Sequence, residues 1–199
     1  MSDLLAACAE DFLTWCESYG IRLYDWQREA FGAATRREGG RFVHRLAGIS
    51  VPRGNGKSFA AAVVAAWRLQ FAPQPCLVLS CALDLEGAKV CLDHGGRIFG
   101  SHPDLARGVE VLADEIRIPS TGSRWLVKSR EHTASRGLHP DLVIYDEVGW
   151  ARDDELFSSL LAAQASVLDP LMLVVSTVGQ SRSGPLWRIR ELAEVEAPA

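Results

Sequence analysis

The run Val51-Pro-Arg-Gly-Asn-Gly-Lys-Ser58 brings together residue types suited to holding a polyphosphate. Binding an anion of this kind needs backbone N–H groups turned inward, glycines that permit the turn, a lysine for the β/γ charge and a hydroxyl for Mg²⁺. Gly54, Asn55, Gly56, Lys57 and Ser58 supply these, with Arg53 just ahead of them. The strict G-x-x-x-x-G-K-[ST] pattern fails, because Val51 stands where the first glycine belongs. Taken alone, the run could equally be an ordinary glycine turn. Further along, Leu142-Val-Ile-Tyr-Asp-Glu147 is an apolar run that closes on two adjacent carboxylates. An aspartate at a strand's end can hold Mg²⁺, and a glutamate beside it can orient a water toward a γ-phosphate. The plainer alternative is a strand entering an acidic turn.

Two weaker signals accompany these. Val174-Val-Ser-Thr-Val-Gly179 ends an apolar run on two hydroxyls, Ser176 and Thr177, either a γ-phosphate contact or a simple strand-end turn. Upstream, in Leu23-Tyr-Asp-Trp-Gln-Arg-Glu29, the Gln27 amide could pair with both a donor and an acceptor of adenine, and Tyr24 could stack on it. The alternative leaves Trp26 in the core and Gln27 on a solvated helix face.

These groups need elements to hold them. Apolar residues at helical spacing predict helices over 3–18 and 25–37, and Phe42 to Val51 reads as a strand stopped by Pro52 and the glycines. Ser58 to Leu69, rich in Ala and Val, reads as a buried helix. Cys76 to Cys81, Leu142 to Tyr145 and Leu171 to Val175 are short continuous apolar runs of the kind found in strands covered on both faces. Helices are expected over Leu83–Ile98, Asp153–Leu168 and Gly184–Glu194. Val109 to Ile118 and Ser123 to Lys128 read as an antiparallel edge. Four apolar strands separated mostly by helices predict an α/β fold, a mostly parallel sheet with helices on both faces. In such a sheet ligands bind beyond the carboxyl ends of the strands, where the polar outliers fall.

The 199 residues form one expected domain, with a helical segment over 1–38 and a core over 39–185. The start of the chain lacks a basic leader and no apolar run is long enough to cross a bilayer, so a cytoplasmic protein with no membrane partner is expected. Cys8, Cys16, Cys76, Cys81 and Cys91 are odd in number with no C-x-x-C pair, so they read as reduced, buried small hydrophobes. His44, His94, His102, His132 and His139 show no ligand spacing, leaving nucleotide-bound Mg²⁺ as the one metal with support. A net charge of −4 excludes a surface that coats nucleic acid indiscriminately.

Trp26-Gln27, then Arg53-Gly-Asn-Gly-Lys-Ser58, then Arg136-Gly-Leu-His-Pro-Asp-Leu-Val-Ile-Tyr-Asp-Glu147, then Ser176-Thr-Val-Gly179 stand in an order that resembles the ATPase half of tailed-phage large terminases. The likeness covers roughly residues 20 to 185. An arginine before a degenerate Gly-x-Gly-Lys is itself similar to that family. The resemblance implies a P-loop NTPase fold of the additional-strand, catalytic-glutamate type and an ATPase motor that moves double-stranded DNA into a prohead. It implies ATP and Mg²⁺ as cofactors, with Gln27 on adenine, Lys57 and Ser58 on phosphate and metal, Asp146 and Glu147 as the Walker B pair, and Ser176-Thr177 as a coupling motif. Arg53 would lie near the phosphates, and Arg136, with Arg130 in reserve, would act as an arginine finger across a ring of identical subunits. Portal and small terminase subunit are the further partners it implies. Large terminases usually continue into a nuclease domain, and this sequence stops soon after the coupling motif, so no DNA cleavage is expected of it. Two other readings remain: a helicase-like nucleic-acid-dependent ATPase, and a catalytically silent nucleotide-binding assembly module.

Overall fold

The computed structural model describes residues 11–72, 75–129, 137–151, 155–177 and 184–196. Two short helices open it, α1 (Phe12–Ser18) and α2 (Asp25–Ala34). The Asp11 carboxylate caps α1 by accepting from the Thr14 N–H at 2.8 Å. Helix α2 stops at Thr35, whose hydroxyl donates back to the Phe31 carbonyl at 2.7 Å. The expected helix over 25–37 is therefore shorter, and the expected strand Phe42–Val51 is divided. Gly39 and Gly40, both at positive φ, turn the chain between β1 (Arg37–Glu38) and β2 (Arg41–Phe42), and the sheet is entered only at β3 (Leu46–Ser50).

Beyond β3 come α3 (Lys57–Phe71), β4 (Leu77–Ala82) and α4 (Leu85–Ser101). The edge consists of β5 (Glu110–Val111), β6 (Glu115–Ile118) and β7 (Ser123–Ser129). The last elements are β8 (Leu142–Asp146), a short 3₁₀ turn (Val148–Trp150), α5 (Glu155–Ala163), β9 (Leu171–Ser176) and α6 (Pro185–Glu196). Helix α5 ends at Ala163, short of the expected Leu168, and Asp153 lies outside the described residues. Gln164 follows it, buried, with its amide donating to the carbonyls of Pro140 and Leu171, both at 3.1 Å.

The described strands form a seven-stranded sheet in the order β3-β9-β8-β4-β7-β6-β5. The first five run parallel; β6 pairs antiparallel with β7, and β5 antiparallel with β6. Strand β7 thus has two characters, antiparallel to β6 as the edge pattern predicts and parallel to β4. Placing β9 between β3 and β8 separates the glycine-loop strand from the acidic strand by one, which is the additional-strand arrangement.

Alternation sorts the strand residues between two cores. Leu142, Ile144, Leu171, Leu173 and Val175 pack with α1 to α4 on one face. Val143, Tyr145, Met172 and Val174 pack with Leu156, Phe157 and Leu160 of α5 and Ile189 of α6 on the other. Helix α3 is buried almost throughout, and the run Ala60–Ala66 lets its backbone lie close to the sheet. Its far end is gripped: the buried Arg68 guanidinium donates to the Asp169 carbonyl at 2.8 Å, and the guanidinium carbons of Arg68 and Arg37 both stand about 5 Å from the Phe42 ring centre. Asp169 also accepts from Arg37 at 2.9 Å and from the Phe42 N–H at 2.7 Å. Close approach recurs at Gly95 of α4, where a Cβ would stand 2.3 Å from Trp125, a buried ring whose Nε1 donates to Ser80 at 2.8 Å. Cys16, Cys76, Cys81 and Cys91 are buried and unpaired with one another, and burial pushes the first three thiols up to about 12. Among the described residues no helix is long and apolar enough to cross a membrane.

Candidate active site

Period-two alternation on β8 directs Asp146 to the same face as Leu142 and Ile144, the face of α3. There the Ser58 hydroxyl, at the second position of α3, donates to its Oδ2 at 2.5 Å. Continued alternation would send Glu147 to the opposite face. Glu147 instead adopts the left-handed conformation, φ 55 and ψ 33, the one non-glycine among the described residues at positive φ. Its N–H is held by the Asp146 carboxylate and by the Val175 carbonyl, both at 2.8 Å. That turn ends the strand, and the carboxylate meets Lys57, with Nζ to Oε1 at 2.7 Å. The other oxygen, Oε2, accepts from the Thr177 hydroxyl at 3.0 Å and the Thr177 N–H at 3.3 Å. A left-handed glutamate is costly backbone geometry of the sort concentrated at functional sites.

The two carboxyls respond in opposite directions. Burial pushes the Asp146 carboxyl above its ordinary range, against the opposing pull of Ser58 and Lys57. Burial also acts to raise Glu147, but the hydrogen bonds from Lys57 and Thr177 outweigh it and hold Glu147 below the usual range.

Residues 52–56 turn over the end of α3. Gly54 and Gly56 take positive φ, 82 and 74, so both are needed for conformation. The Asn55 amide folds back to the Pro52 carbonyl at 3.1 Å. Arg53 is exposed and lines a cleft of about 380 Å³ with Ser58, Asp146 and Glu147. The opposite wall, Ala82, Leu83, Asp84, Gly87 and Val90, comes from the end of β4 and the start of α4. Sequence reasoning passed over Asp84. It stands just past a strand's carboxyl end, the same placement that singles out Asp146, and it caps α4 by accepting from the Gly87 N–H at 2.7 Å.

Ser176 and Thr177 separate. Thr177 reaches Glu147, whereas the Ser176 hydroxyl has no exposed surface, accepting from the Gly149 N–H and donating to the Thr177 carbonyl, both at 2.8 Å. Gln27 is not on a solvated helix face. It is 1% exposed, with its oxygen accepting from the Tyr24 N–H at 2.9 Å and Nε2 donating to the carbonyls of Gly56 at 3.0 Å and Asn55 at 3.2 Å. Tyr24 itself is 69% exposed. Arg130 and Arg136 lie outside the described residues.

A parallel sheet with a strand inserted between a glycine-loop strand and an acidic strand, and a lysine, a serine and two carboxylates gathered at its carboxyl edge, defines a P-loop NTPase-like domain. Residues 25–194 match the family described as terminase large subunit, ATPase domain, and the chain belongs to that family. The large terminase of bacteriophage HK97 is similar in structure at a TM-score of 0.80 and 23% identity, covering 94% of this chain and 42% of that one. The ATPase domain of the Thermus phage P74-26 large terminase gives 0.61 and 22%, covering 82% and 68%. The large terminase of a thermophilic bacteriophage in complex with ADP gives 0.55 and 13%, covering 77% and 39%. At these identities the likeness is one of fold, and this chain spans less than half the length of the HK97 protein and of the ADP-bound one. No curated protein sequence matches the chain.

Proposed function

We propose that the chain binds ATP with Mg²⁺ in the cleft between the glycine loop and β8 and hydrolyses it, as the motor domain that drives double-stranded DNA into a prohead. The observation that carries this reading is the meeting of Lys57, Ser58, Asp146, Glu147 and Thr177, from α3 and the ends of β8 and β9, in one cluster. A divalent ion fits the donor set: Ser58 and Asp146 present hard oxygen ligands at the cleft, and a cation there would relieve the cost of burying the Asp146 charge. Mg²⁺ would supply charge neutralisation on the β and γ oxygens.

Within the chain, Lys57 exchanges Glu147 for the β/γ oxygens when nucleotide enters. Glu147, held through Oε2 by Thr177, is then free at Oε1 to accept a proton from the attacking water. The Thr177 hydrogen bonds, which remain, favour the ionised form of Glu147 that this role needs. Arg53, at the cleft wall, lies within the region of phosphate charge. By its position in sequence ahead of β8, and by family, Arg136 is the candidate to complete the site of a neighbouring subunit in a ring. Portal, small subunit and the host cytoplasm belong to the same reading. Phosphate release measured with and without double-stranded DNA, under conditions that permit assembly, tests it. DNA-stimulated hydrolysis supports the motor, DNA-independent hydrolysis removes the translocation step, and binding without hydrolysis leaves a silent assembly module.

A further inference from the structure

We infer that Gln27 is a positioning residue for the phosphate loop, setting the direction of two of its amide groups whatever base the nucleotide carries. The inference rests on the reading that residues 54–58 bind phosphate. The three partners of the Gln27 side chain fix its orientation, since one is an N–H donor and two are carbonyl acceptors. Only with Oε1 on Tyr24 and Nε2 on Asn55 and Gly56 are all three satisfied. The side chain is enclosed, so water does not substitute readily for any of them.

The consequence follows from the planarity of the peptide unit. In a trans peptide the C=O and the next residue's N–H point in opposite directions. Holding the Asn55 carbonyl toward Gln27 therefore turns the Gly56 N–H away from it, and holding the Gly56 carbonyl, which also accepts from the Ala60 N–H at 3.1 Å, reinforces the same direction for the Lys57 N–H. Those are N–H groups of the kind that a loop at a helix N-terminus offers to phosphate oxygens. Gly56 takes part twice, by its positive φ and by its missing side chain, because a Cβ there would stand 3.0 Å from Gln27 Nε2. The same amide also holds the Tyr24 backbone, at the start of α2, so the exposed Tyr24 ring and the phosphate loop share one support.

Binding of Mg·ATP, Mg·GTP and Mg·tripolyphosphate to the full chain, wild type and variant, tests this directly. Gln27→Met keeps the buried bulk without the donors, and Gln27→Glu keeps the acceptor for Tyr24 while setting a carboxylate against two carbonyl oxygens. Both are expected to weaken all three ligands by a common factor, on the order of tenfold for Met and more for Glu, with faster hydrogen exchange at the Gly56 and Lys57 amides in the absence of ligand. Tyr24→Ala is expected to weaken the two nucleotides and leave tripolyphosphate unchanged. Melting curves identify any variant that fails to fold, and Gln27→Met carries the test if Gln27→Glu does. Loss of ATP binding alone, with GTP and tripolyphosphate at wild-type affinity, overturns the inference in favour of a base contact, and unchanged binding of all three overturns it outright. Folded wild-type protein that binds none of the ligands overturns the nucleotide site itself, and this inference with it.

Discussion

Replacing Glu147 by Gln should tighten ATP binding while stopping its hydrolysis. Lys57 Nζ is 2.7 Å from Glu147 Oε1, with the lysine side chain 10% and the glutamate side chain 31% exposed. A hydrogen bond to a charged group contributes ~1.5–3 kcal/mol net when enclosed. The partial exposure of Glu147 lowers this to about 1 kcal/mol, because solvent screens the pair. ATP must displace that contact before Lys57 can meet phosphate. The amide that replaces the carboxylate can still accept from Thr177 but carries no charge to hold the lysine. Affinity should rise about fivefold, the equivalent of ~1 kcal/mol. Turnover should fall at least ~100-fold, the scale of losing a positioned base. The lysine left without its counter-charge should lower the melting temperature of the empty chain by roughly 2–4 °C. Calorimetric titration with Mg·ATP, beside a phosphate-release assay and a thermal melt, reads all three. Equal or weaker ATP binding in a variant that melts as a folded domain refutes the idea that Glu147 competes with phosphate for Lys57, and normal turnover refutes its role as the base.

Asp146→Asn should raise the melting temperature of the metal-free chain at neutral pH. The raised carboxyl pKa means that the folded chain holds the proton more tightly than the unfolded one, so stability falls as pH rises between the two values and ionised Asp146 is a net cost at pH 7. The gain should vanish in acid, where the wild-type carboxyl is also protonated, and the variant should lose the strengthening of ATP binding by Mg²⁺; a lower melting temperature at pH 7 contradicts the sign. Gly95→Ala should destabilise by at least ~1–3 kcal/mol, since Trp125 is enclosed and tied to Ser80 and has no room to move from a new methyl group. A chemical denaturation midpoint equal to wild type would show that α4 can shift instead. Mixing Arg136→Ala and Glu147→Gln subunits should restore some hydrolysis, because each supplies what the other lacks across an interface. No recovery in a mixture shown to assemble counts against Arg136 acting in trans.

The cluster around Asp146 was legible in the sequence because its causes are local. A glycine loop between an apolar strand and an Ala-rich helix places Lys57 and Ser58, and alternation along Leu142–Asp146 points the aspartate toward that helix. Glu147 was legible as a strand-end carboxylate but not in its direction, which depends on a left-handed residue that its side-chain type does not announce. The engagement of Gln27 with Asn55 and Gly56 joins segments 28 and 29 residues apart, and no pattern within α2 encodes it. Gly39-Gly40 marks the turn between β1 and β2, but nothing local marks the break between β2 and β3, and the apolar character of Phe42 reads as continuous strand until its contact with two arginines is known.

Helix α3 runs about 17 Å from Lys57, beside the phosphate loop, to Arg68, at 1.5 Å per residue. It is pinned at one end by Gln27 beneath the loop and at the other by the Asp169 clasp around Phe42. A rod clamped at both ends and bedded along its length cannot pivot. A lengthwise shift of α3 with the phosphate loop must carry the Arg37–Phe42 hairpin with it or pull Arg68 from Asp169. The latter would leave a buried guanidinium uncompensated, a cost of several kcal/mol. The hairpin on the far side of the domain is therefore a second pointer on the same shaft, and a label on Arg41 should register events at Lys57 that it never touches.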